Sequence, residues 1–513
     1  MLCSRSTRCS RGLVARINAA AFALACATAA HAQSWSVEPF IRTTVTATSN
    51  ANFNREESAR SDTIFEVTPG IRASGRGPQW SADAAFSVQG VAYASGSQQN
   101  RALPEGGLRV NGELIKNWFF IETGASAIQQ TEDVFGARPV GPSTYNKFTV
   151  AQYRVSPYID HEFSGGLGLF IRSDNGWTDT LDAPPRTNDG YYGLHTVRLS
   201  QRPQPVGGAL EYTRTETRFS GQDQDAFFEE IGRGVLSYAL GPTLVVGVVG
   251  GYDHYKIPFF DDQQSLYGAR ANWRPSERTL LDIDVEDRFF GRSWRVLAQH
   301  RLPQVAFDAR WSRDVTTSPQ AIFSLQPTGN VAGLINESLG ASIRDPIQRE
   351  KAVRDFMAQR GLPESLPGSV NIYSQRVTIN QTLSGTVTLI GARNTLAFTA
   401  FRTRIEALRT QIEELFALDP LADNNEQTGF GVSFARRLSP ITRLTLTALR
   451  FDTHGLGENS DTKTNQTSMV SELSRQFGRR ASWLIGLRWQ HINSNIATDA
   501  TEYAAYTGLL YRF

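Results

Sequence analysis

Charged side chains spaced two residues apart are the clearest chemical pattern in this sequence. Successive side chains of a β-strand point to opposite faces, so residues at i, i+2 and i+4 share one face. Six charged residues fall on one face of three successive predicted strands: Asp282, Asp284, Glu286, Arg295, Asp308 and Arg310. Rows of charge inside a pore set its selectivity, and opposite charges on neighbouring strands stabilise a sheet. The pattern therefore predicts either a selective, charged lumen wall or a self-neutralising ladder.

Signatures of an active site are absent from the sequence. It contains no glycine-rich phosphate loop, no His-Glu-x-x-His helix and no Gly-x-Ser-x-Gly elbow. Beyond residue 32 the histidines are scattered singly: His161, His195, His254, His300, His454 and His491. We therefore expect no enzymatic activity, no cofactor and no metal. The alternative, a barrel hydrolase, requires a serine, a histidine and a carboxylate to converge at the outer rim.

The elements that position these residues are two-faced strands. Apolar and polar side chains alternate in residues 80–89, 281–286, 305–312 and 483–490. Short turns marked by Pro or Gly alternate with longer polar connections, among them residues 131–149 and 256–264, which is typical of outer-membrane barrels. The longest apolar run after residue 32, residues 244–251, is far shorter than the ~20 residues of a membrane helix. The sequence predicts one all-β, antiparallel transmembrane barrel of about 22 strands (18–24).

The two ends of the chain indicate export. Residues 1–32 have four arginines, no acidic residue, a short apolar core and a small-x-small end at Ala30–Ala32, as in a cleaved signal peptide. A lipoprotein signal ending at Cys26 is a weaker match. All three cysteines precede residue 33, so the predicted mature barrel, residues 33–513, has none. At the other end, Gly508, Tyr511 and Phe513 resemble the C-terminal signal of bacterial outer-membrane barrels, which implies the barrel assembly machinery as a partner.

One long insertion, Thr317–Ser369, interrupts the strand pattern. Asp345 and Pro346 begin a predicted helix as N-cap and first residue, and Gly361 and Pro363 end it. Its apolar stripe contains Val353, Phe356 and Met357, and Arg349 belongs to its charged remainder. The insertion is either a plug or lid of the lumen or a decorated outer loop. A second candidate helix covers Ile405–Leu418.

The charge balance excludes one class of partner. Without the four arginines of the leader, 48 basic and 50 acidic residues remain. A nearly neutral chain has no electrostatic footprint for nucleic acid, so we expect none. Arginine supplies nearly all the positive charge, and it suits multidentate contacts inside a polar cavity.

Three segments resemble a known family: residues 61–75, the helix from Asp345 to Pro363, and residues 392–398. They are similar to the exosortase/PEP-CTERM system-associated outer-membrane proteins, and the likeness covers most of the mature chain. In that family the genes accompany exopolysaccharide and exosortase clusters in Gram-negative bacteria. The resemblance implies a role in polymer export or in placing surface material, and it carries over no catalytic residues.

Together these features predict a barrel in the Gram-negative outer membrane, in contact with its lipid, that acts as a pore or conduit for exopolysaccharide. Exopolysaccharide and its export proteins are the expected partners. Two alternatives stay open. One is a general diffusion porin or uptake channel, and the other is a non-transporting scaffold for surface polymer or protein.

Overall fold

The computed structural model describes residues 34–141, 143–181, 189–220, 227–257, 260–324, 376–408, 424–496 and 499–513, with Arg349, Ala352, Val353, Asp355 and Met357 of the insertion. The predicted signal peptide lies outside these residues. Eleven strands form the first half of the described sheet: β1 Ser34–Thr48, β2 Asp62–Arg76, β3 Trp80–Tyr93, β4 Arg101–Ile115, β5 Phe119–Thr131, β6 Lys147–Glu162, β7 Leu167–Leu181, β8 Gly190–Gln201, β9 Val206–Phe219, β10 Phe227–Ala239 and β11 Leu244–Ile257.

Eleven more strands complete it: β12 Phe260–Ser276, β13 Thr279–Arg288, β14 Gly291–Arg301, β15 Val305–Thr316, β16 Thr378–Ile390, β17 Asn394–Ala407, β18 Asn425–Ser439, β19 Thr442–Gly455, β20 Lys463–Phe477, β21 Ala481–Ser494 and β22 Ala500–Arg512. Each strand pairs antiparallel with the next along the chain. The last strand pairs with the first, from Phe40 opposite Arg512 to Thr48 opposite Ala504. The sheet is therefore a closed barrel of 22 strands, which confirms the predicted fold class.

The alternating apolar and polar residues of the sequence lie on the outer and inner faces of this barrel, respectively. On β2, Phe65, Val67 and Ile71 are exposed on the outer face, whereas Glu66 and Thr68 are buried on the inner face. Because one parity of every strand faces outward, the apolar residues form a continuous band that suits lipid, and the polar residues line the lumen. A closed sheet also leaves no unpaired edge, which is a condition for crossing a bilayer with strands.

Aromatic residues mark the two ends of the apolar band. Trp35, Trp80 and Trp483 lie near strand ends on the side of the barrel where both chain termini are found. Trp294 and Trp311 lie further up neighbouring strands, with ring centroids 5.0 Å apart. Amphipathic rings are enriched at the levels of lipid headgroups, so these positions match two girdles.

Two boundaries differ from the sequence prediction. Residues 256–264 were expected to form a long connection, but β11 runs to Ile257 and β12 begins at Phe260. The predicted second helix is wrong at its start, because Ile405–Ala407 belong to β17. Its remainder, residues 409–418, lies outside the described residues. In both places the strands continue past the apolar band, so their polar outward residues looked like loop residues in the sequence.

Short helices complete the described structure: 3₁₀ turns at Glu56–Ser58 and Gly457–Asn459, and an α-helix, α1, at Ser318–Ser324. In the insertion, the described residues from Arg349 to Met357 are helical, in the region predicted for a helix. Among the described residues, no helix is long and apolar enough to span a membrane.

Candidate functional site: a polar lumen with inserted segments

The six charged residues predicted from the sequence all lie on the inner face of the barrel, but they do not form one continuous row of contacts. Asp284 lies 3.0 Å from Arg270 Nε and accepts a hydrogen bond from Arg295 at 2.5 Å. Asp282 instead accepts a hydrogen bond from Asn272 at 2.9 Å. Arg270 also lies 3.4 Å from Glu286, so it links Asp284 and Glu286 in one network. Asp308 pairs separately with Arg310. The inner face thus carries a charged wall, defined here as the inward residues of β9–β15.

The charged wall is held together by arginines that the sequence reasoning did not single out. Arg233 donates two hydrogen bonds to Glu286, at 2.8 and 2.9 Å. Arg270 binds Glu211 with both terminal nitrogens, at 2.9 and 3.0 Å. Paired, bidentate contacts of this kind combine strength with a fixed orientation. The wall is therefore largely self-neutralised and rigid, which agrees with the ladder interpretation of its charges.

The most deeply buried ion cluster of this wall centres on Arg288. Its side chain is only 4% exposed and contacts Glu229, Asp253 and Asp314, with Asp253 at 2.9 Å. Breaking a buried pair by removing one partner leaves an uncompensated charge, so this cluster is a structural element of the wall. A signal for it existed in the sequence, because Arg288 continues the two-residue spacing that ends at Glu286.

The inner face of β16–β20 has a different chemistry. Hydroxyl groups bridge neighbouring strands there, with Thr386 and Thr399 3.3 Å apart and Ser433 and Thr447 3.4 Å apart. Thr386, Thr399 and Ser433 are each at most 3% exposed. We call the four residues Thr386, Thr399, Ser433 and Thr447 the neutral wall.

A loop between β5 and β6, described at residues 132–141 and 143–146, enters the lumen and crosses to strands on the far side of the β1–β22 closure. We call it the inserted loop. The Gln466 side chain accepts a hydrogen bond from the Arg138 backbone N–H at 2.9 Å and donates one to the Arg138 carbonyl at 2.7 Å. Gln490 makes the same pair of contacts with Val140, at 2.8 and 3.2 Å. Each glutamine therefore replaces the backbone partner that an isolated loop lacks.

Apolar packing holds the same loop in place. Phe135 is fully buried, Ala137 packs against Ile492 and Ala500, and Val140 packs beside the cluster that contains Phe451. The sequence predicts an ordinary polar connection at residues 131–149 and gives no sign that it enters the lumen. Its contacts join residues 328 and 350 positions apart, and no local pattern encodes such a pairing.

The tip of the inserted loop lies against a second buried ion pair. Arg488 donates to Glu502 at 2.7 and 3.1 Å, and Glu502 also accepts from Thr48 at 2.7 Å. Gly141 has a φ of +104°, and a Cβ there would come within 2.1 Å of the Arg488 guanidinium. Glycine is required at this position by both its conformation and the close approach.

Burial changes the acid–base properties of the inserted loop. Desolvation lowers the pKa of Arg138 to about 10, although the charge of Asp133 opposes the shift. The guanidinium donates to the neutral oxygens of Val134, Gln427 and Thr453 at 3.1–3.3 Å. Burial also raises the pKa of Tyr145, with Asp133 adding to the shift. The loop therefore pays a desolvation penalty to sit in the lumen, and the neutral contacts offset it.

The long insertion also begins inside the lumen. Ile322 of α1 packs with Phe148, Val150 and Phe219, and the Phe323 ring stacks on Tyr192 at 6.0 Å. These partners belong to β6–β9, across the lumen from β15, which precedes α1.

The structure describes only some residues of the helix predicted in the long insertion. Val353 and Met357 are buried, as expected for its apolar stripe, and Arg349 is half-buried. Asp345 and Phe356 lie outside the described residues or side chains.

The predicted C-terminal signal for barrel assembly, Gly508, Tyr511 and Phe513, lies on β22 and directly after it. Gly508 faces inward, where a Cβ would meet the Thr43 carbonyl at 2.9 Å. Tyr511 and Phe513 are exposed on the outer face, with ring centroids 5.1 Å apart. Recognition of these residues by the barrel assembly machinery stays a prediction.

The structure also brings a serine and a histidine together on the outer face. Ser173 Oγ lies 2.9 Å from His195 Nδ1, and Asn175 donates to the same oxygen at 3.0 Å. Among the described residues, however, no carboxylate bonds the His195 ring, and Tyr191 bridges instead to Asn175 at 3.0 Å. A nucleophile needs a base that a third group orients, so the arrangement lacks the third member of the required trio. The described residues also contain no group of three or more potential ligands arranged to hold a metal ion.

A closed barrel with an apolar outer band, two aromatic levels and a polar lumen defines the class: an outer-membrane β-barrel. No protein-family model and no curated protein matches the chain. Similar solved structures include the apoprotein of the FrpB iron transporter from Neisseria meningitidis (F5-1 variant), with 8% identity, coverage of 93% of this chain and 81% of that chain, and a TM-score of 0.49.

Two further structures illustrate the range. The siderophore receptor PirA from Pseudomonas aeruginosa has 8% identity, coverage of 93% and 80%, and a TM-score of 0.43. OccK2 (OpdF) from the same species, in complex with glucuronate, has 10% identity, coverage of 94% and 99%, and a TM-score of 0.36. At these values the likeness concerns the barrel architecture and says nothing about a ligand.

Proposed function

We propose that this protein is a gated conduit of the Gram-negative outer membrane for a neutral or weakly charged carbohydrate polymer. The observation that carries the proposal is the lumen itself, which is lined mainly by polar side chains and is entered by two separate segments. A barrel of 22 strands encloses far more space than its own side chains fill. Segments that occupy this space, yet are held by hydrogen bonds and modest apolar contacts, are suited to move aside.

The carbohydrate part of the proposal rests on chemistry and on the resemblance of the sequence. Sugar polymers offer many hydroxyl groups and apolar ring faces, and the lumen offers paired charges, amides and hydroxyls. The resemblance to the exosortase/PEP-CTERM system-associated proteins supports exopolysaccharide as the polymer. The neutralised ladder of the charged wall supports a passage without strong ion selectivity.

Single-channel conductance of the refolded mature protein in planar bilayers tests the proposal. The wild type is compared with a variant lacking Thr317–Ser369, which removes α1 and the helical part of the insertion. A gated conduit gives low conductance that rises sharply on deletion. A matched control replaces the same segment by a flexible Gly/Ser linker of equal length, so that loop closure stays comparable.

Other outcomes would separate the alternatives. Large, equal conductance in wild type and variant would favour an open porin, with the insertion as an outer loop. Absence of conductance in both, from barrels shown to be folded, would favour a scaffold. In either case the gated-conduit proposal fails.

A further inference from the structure

A recess lies in the lumen wall close to the end of the barrel where both termini are found. Its volume is about 360 Å³, within the range of small-ligand pockets. The floor consists of small or short inward side chains from four adjacent strands, β8–β11: Ser200, Ala209, Val235, Ser237, Val245 and Gly247. These residues lie within a few positions of the strand ends, so the recess opens near the periplasmic mouth of the proposed conduit.

Charged and amide groups form the rim of this recess: Arg198, Glu211, Arg270, Asn272, Asp282 and Asp284. The rim contains two arginines and three carboxylates, so it has no net positive charge that would attract an anionic ligand. It offers hydrogen-bond donors and acceptors side by side, as a hydroxyl group requires. The Arg270–Glu211 and Asn272–Asp282 contacts fix most of these groups before any ligand arrives, which lowers the entropic cost of binding.

Arg198 differs from the other rim residues. Its guanidinium lies 5.5 Å above the Phe170 ring, and its side chain is exposed to the lumen. A stacked guanidinium keeps its planar fork available for a ligand. The apolar floor residues Ala209, Val235 and Val245 present a C–H surface below it. The recess therefore combines hydroxyl-binding edges with an apolar base.

We propose that this recess binds one ring of a neutral, polyhydroxylated chain as it enters the barrel from the periplasm. The inference rests on the proposed function for the direction of entry, and it adds the binding site and the ligand class. Uronate-type anions bind less well, because three rim carboxylates repel them.

Isothermal titration of the folded mature barrel in detergent tests the site without requiring transport. The probes are a neutral glucose hexasaccharide and a galacturonate oligomer of equal length. Ser237→Phe fills the floor and is expected to weaken hexasaccharide binding at least about tenfold. Arg198→Gln removes the charged fork and is expected to weaken it by a similar factor, since hydrogen bonds to charged groups are the stronger ones.

Ser474→Phe is the matched control. Ser474 is also inward, half-buried and a few residues from its strand end, but it lies on β20, outside the recess. It adds the same bulk to the lumen at a similar height and is expected to change the affinity by less than about twofold. Equal losses in Ser237→Phe and Ser474→Phe, tighter binding of the galacturonate, or absence of hexasaccharide binding to the wild type would each overturn the proposal.

Conductance measurements separate this inference from the conduit function. Hexasaccharide binding that depends on Ser237, in a barrel that never conducts, supports the recess while the conduit fails. A channel that conducts but does not bind the hexasaccharide retains the conduit and refutes the recess.

Discussion

The amide contacts between Gln466 and the inserted loop should control how often that loop leaves the lumen. Gln466→Ala removes two hydrogen bonds, at 2.7 and 2.9 Å, from the backbone of Arg138. A typical hydrogen bond contributes about 1 kcal/mol net, so the variant should lose about 2 kcal/mol of docking free energy. Since 1.4 kcal/mol corresponds to a factor of ten, the undocked population should rise roughly 30-fold.

A cysteine probe measures this population directly, because all three cysteines of the chain precede residue 33. Ala137 is 4% exposed in the docked loop, so a cysteine introduced there reacts with a bulky maleimide only after the loop opens. The labelling rate of Ala137→Cys is compared with that of the same variant carrying Gln466→Ala. We expect an increase on the order of 30-fold at equal protein and reagent concentration.

The control for this experiment is Gln299→Ala in the same cysteine background. Gln299 is another inward glutamine, but it donates to Asp308 on the charged wall and makes no contact with the loop. Its labelling rate should match that of the parent. Equal rates with and without Gln466, in barrels that remain folded, would refute the conclusion that the amide contacts hold the loop.

Three further predictions concern the rest of the barrel. Arg288→Met should destabilise the barrel by about 3–5 kcal/mol because three carboxylates lose their partner, whereas Arg295→Met, with a 71% exposed side chain, should cost less than about 1 kcal/mol; urea unfolding measures both. Ser173 should not react with a fluorophosphonate, because no described carboxylate orients His195; stoichiometric labelling that Ser173→Ala abolishes would contradict this. Gly176→Val should displace α1, since a Cβ there would lie 2.4 Å from its aromatic ring; hydrogen exchange of the α1 amides should then accelerate, and unchanged protection would refute the packing.

The fold followed from the sequence because its signals are local. A period of two, alternating loop lengths and the absence of long apolar runs each depend on neighbouring residues. The inward orientation of Asp284 and Arg310 followed from the same parity. What parity does not give is the register between strands, so the pairing of Arg233 with Glu286, 53 residues away, was not foreseen.

The inserted loop was missed for a related reason. Its polar composition is the same whether the loop lies in solvent or inside a polar lumen, since both surroundings supply hydrogen-bond partners. What distinguishes the two cases is a set of partners on distant strands, such as those on β20 and β21 more than 300 residues later. Arg288 is a different case, because its position two residues after Glu286 was readable in the sequence.

The contacts of the charged wall and those of the inserted segments differ, and the difference indicates which parts of the molecule move. The charged wall is cross-linked by ion pairs between strands, and removing Arg288 from it leaves buried carboxylates. The inserted loop contacts the barrel through two glutamine amides, the Arg138 guanidinium and apolar side chains, and Ile322 and Phe323 of α1 pack on the barrel wall. Undocking the inserted loop breaks hydrogen bonds to neutral barrel groups, which lumen water can replace, and leaves the ion pairs of the charged wall intact. The barrel wall should therefore stay fixed while the inserted segments exchange between docked and open positions, which is the property that a gate requires.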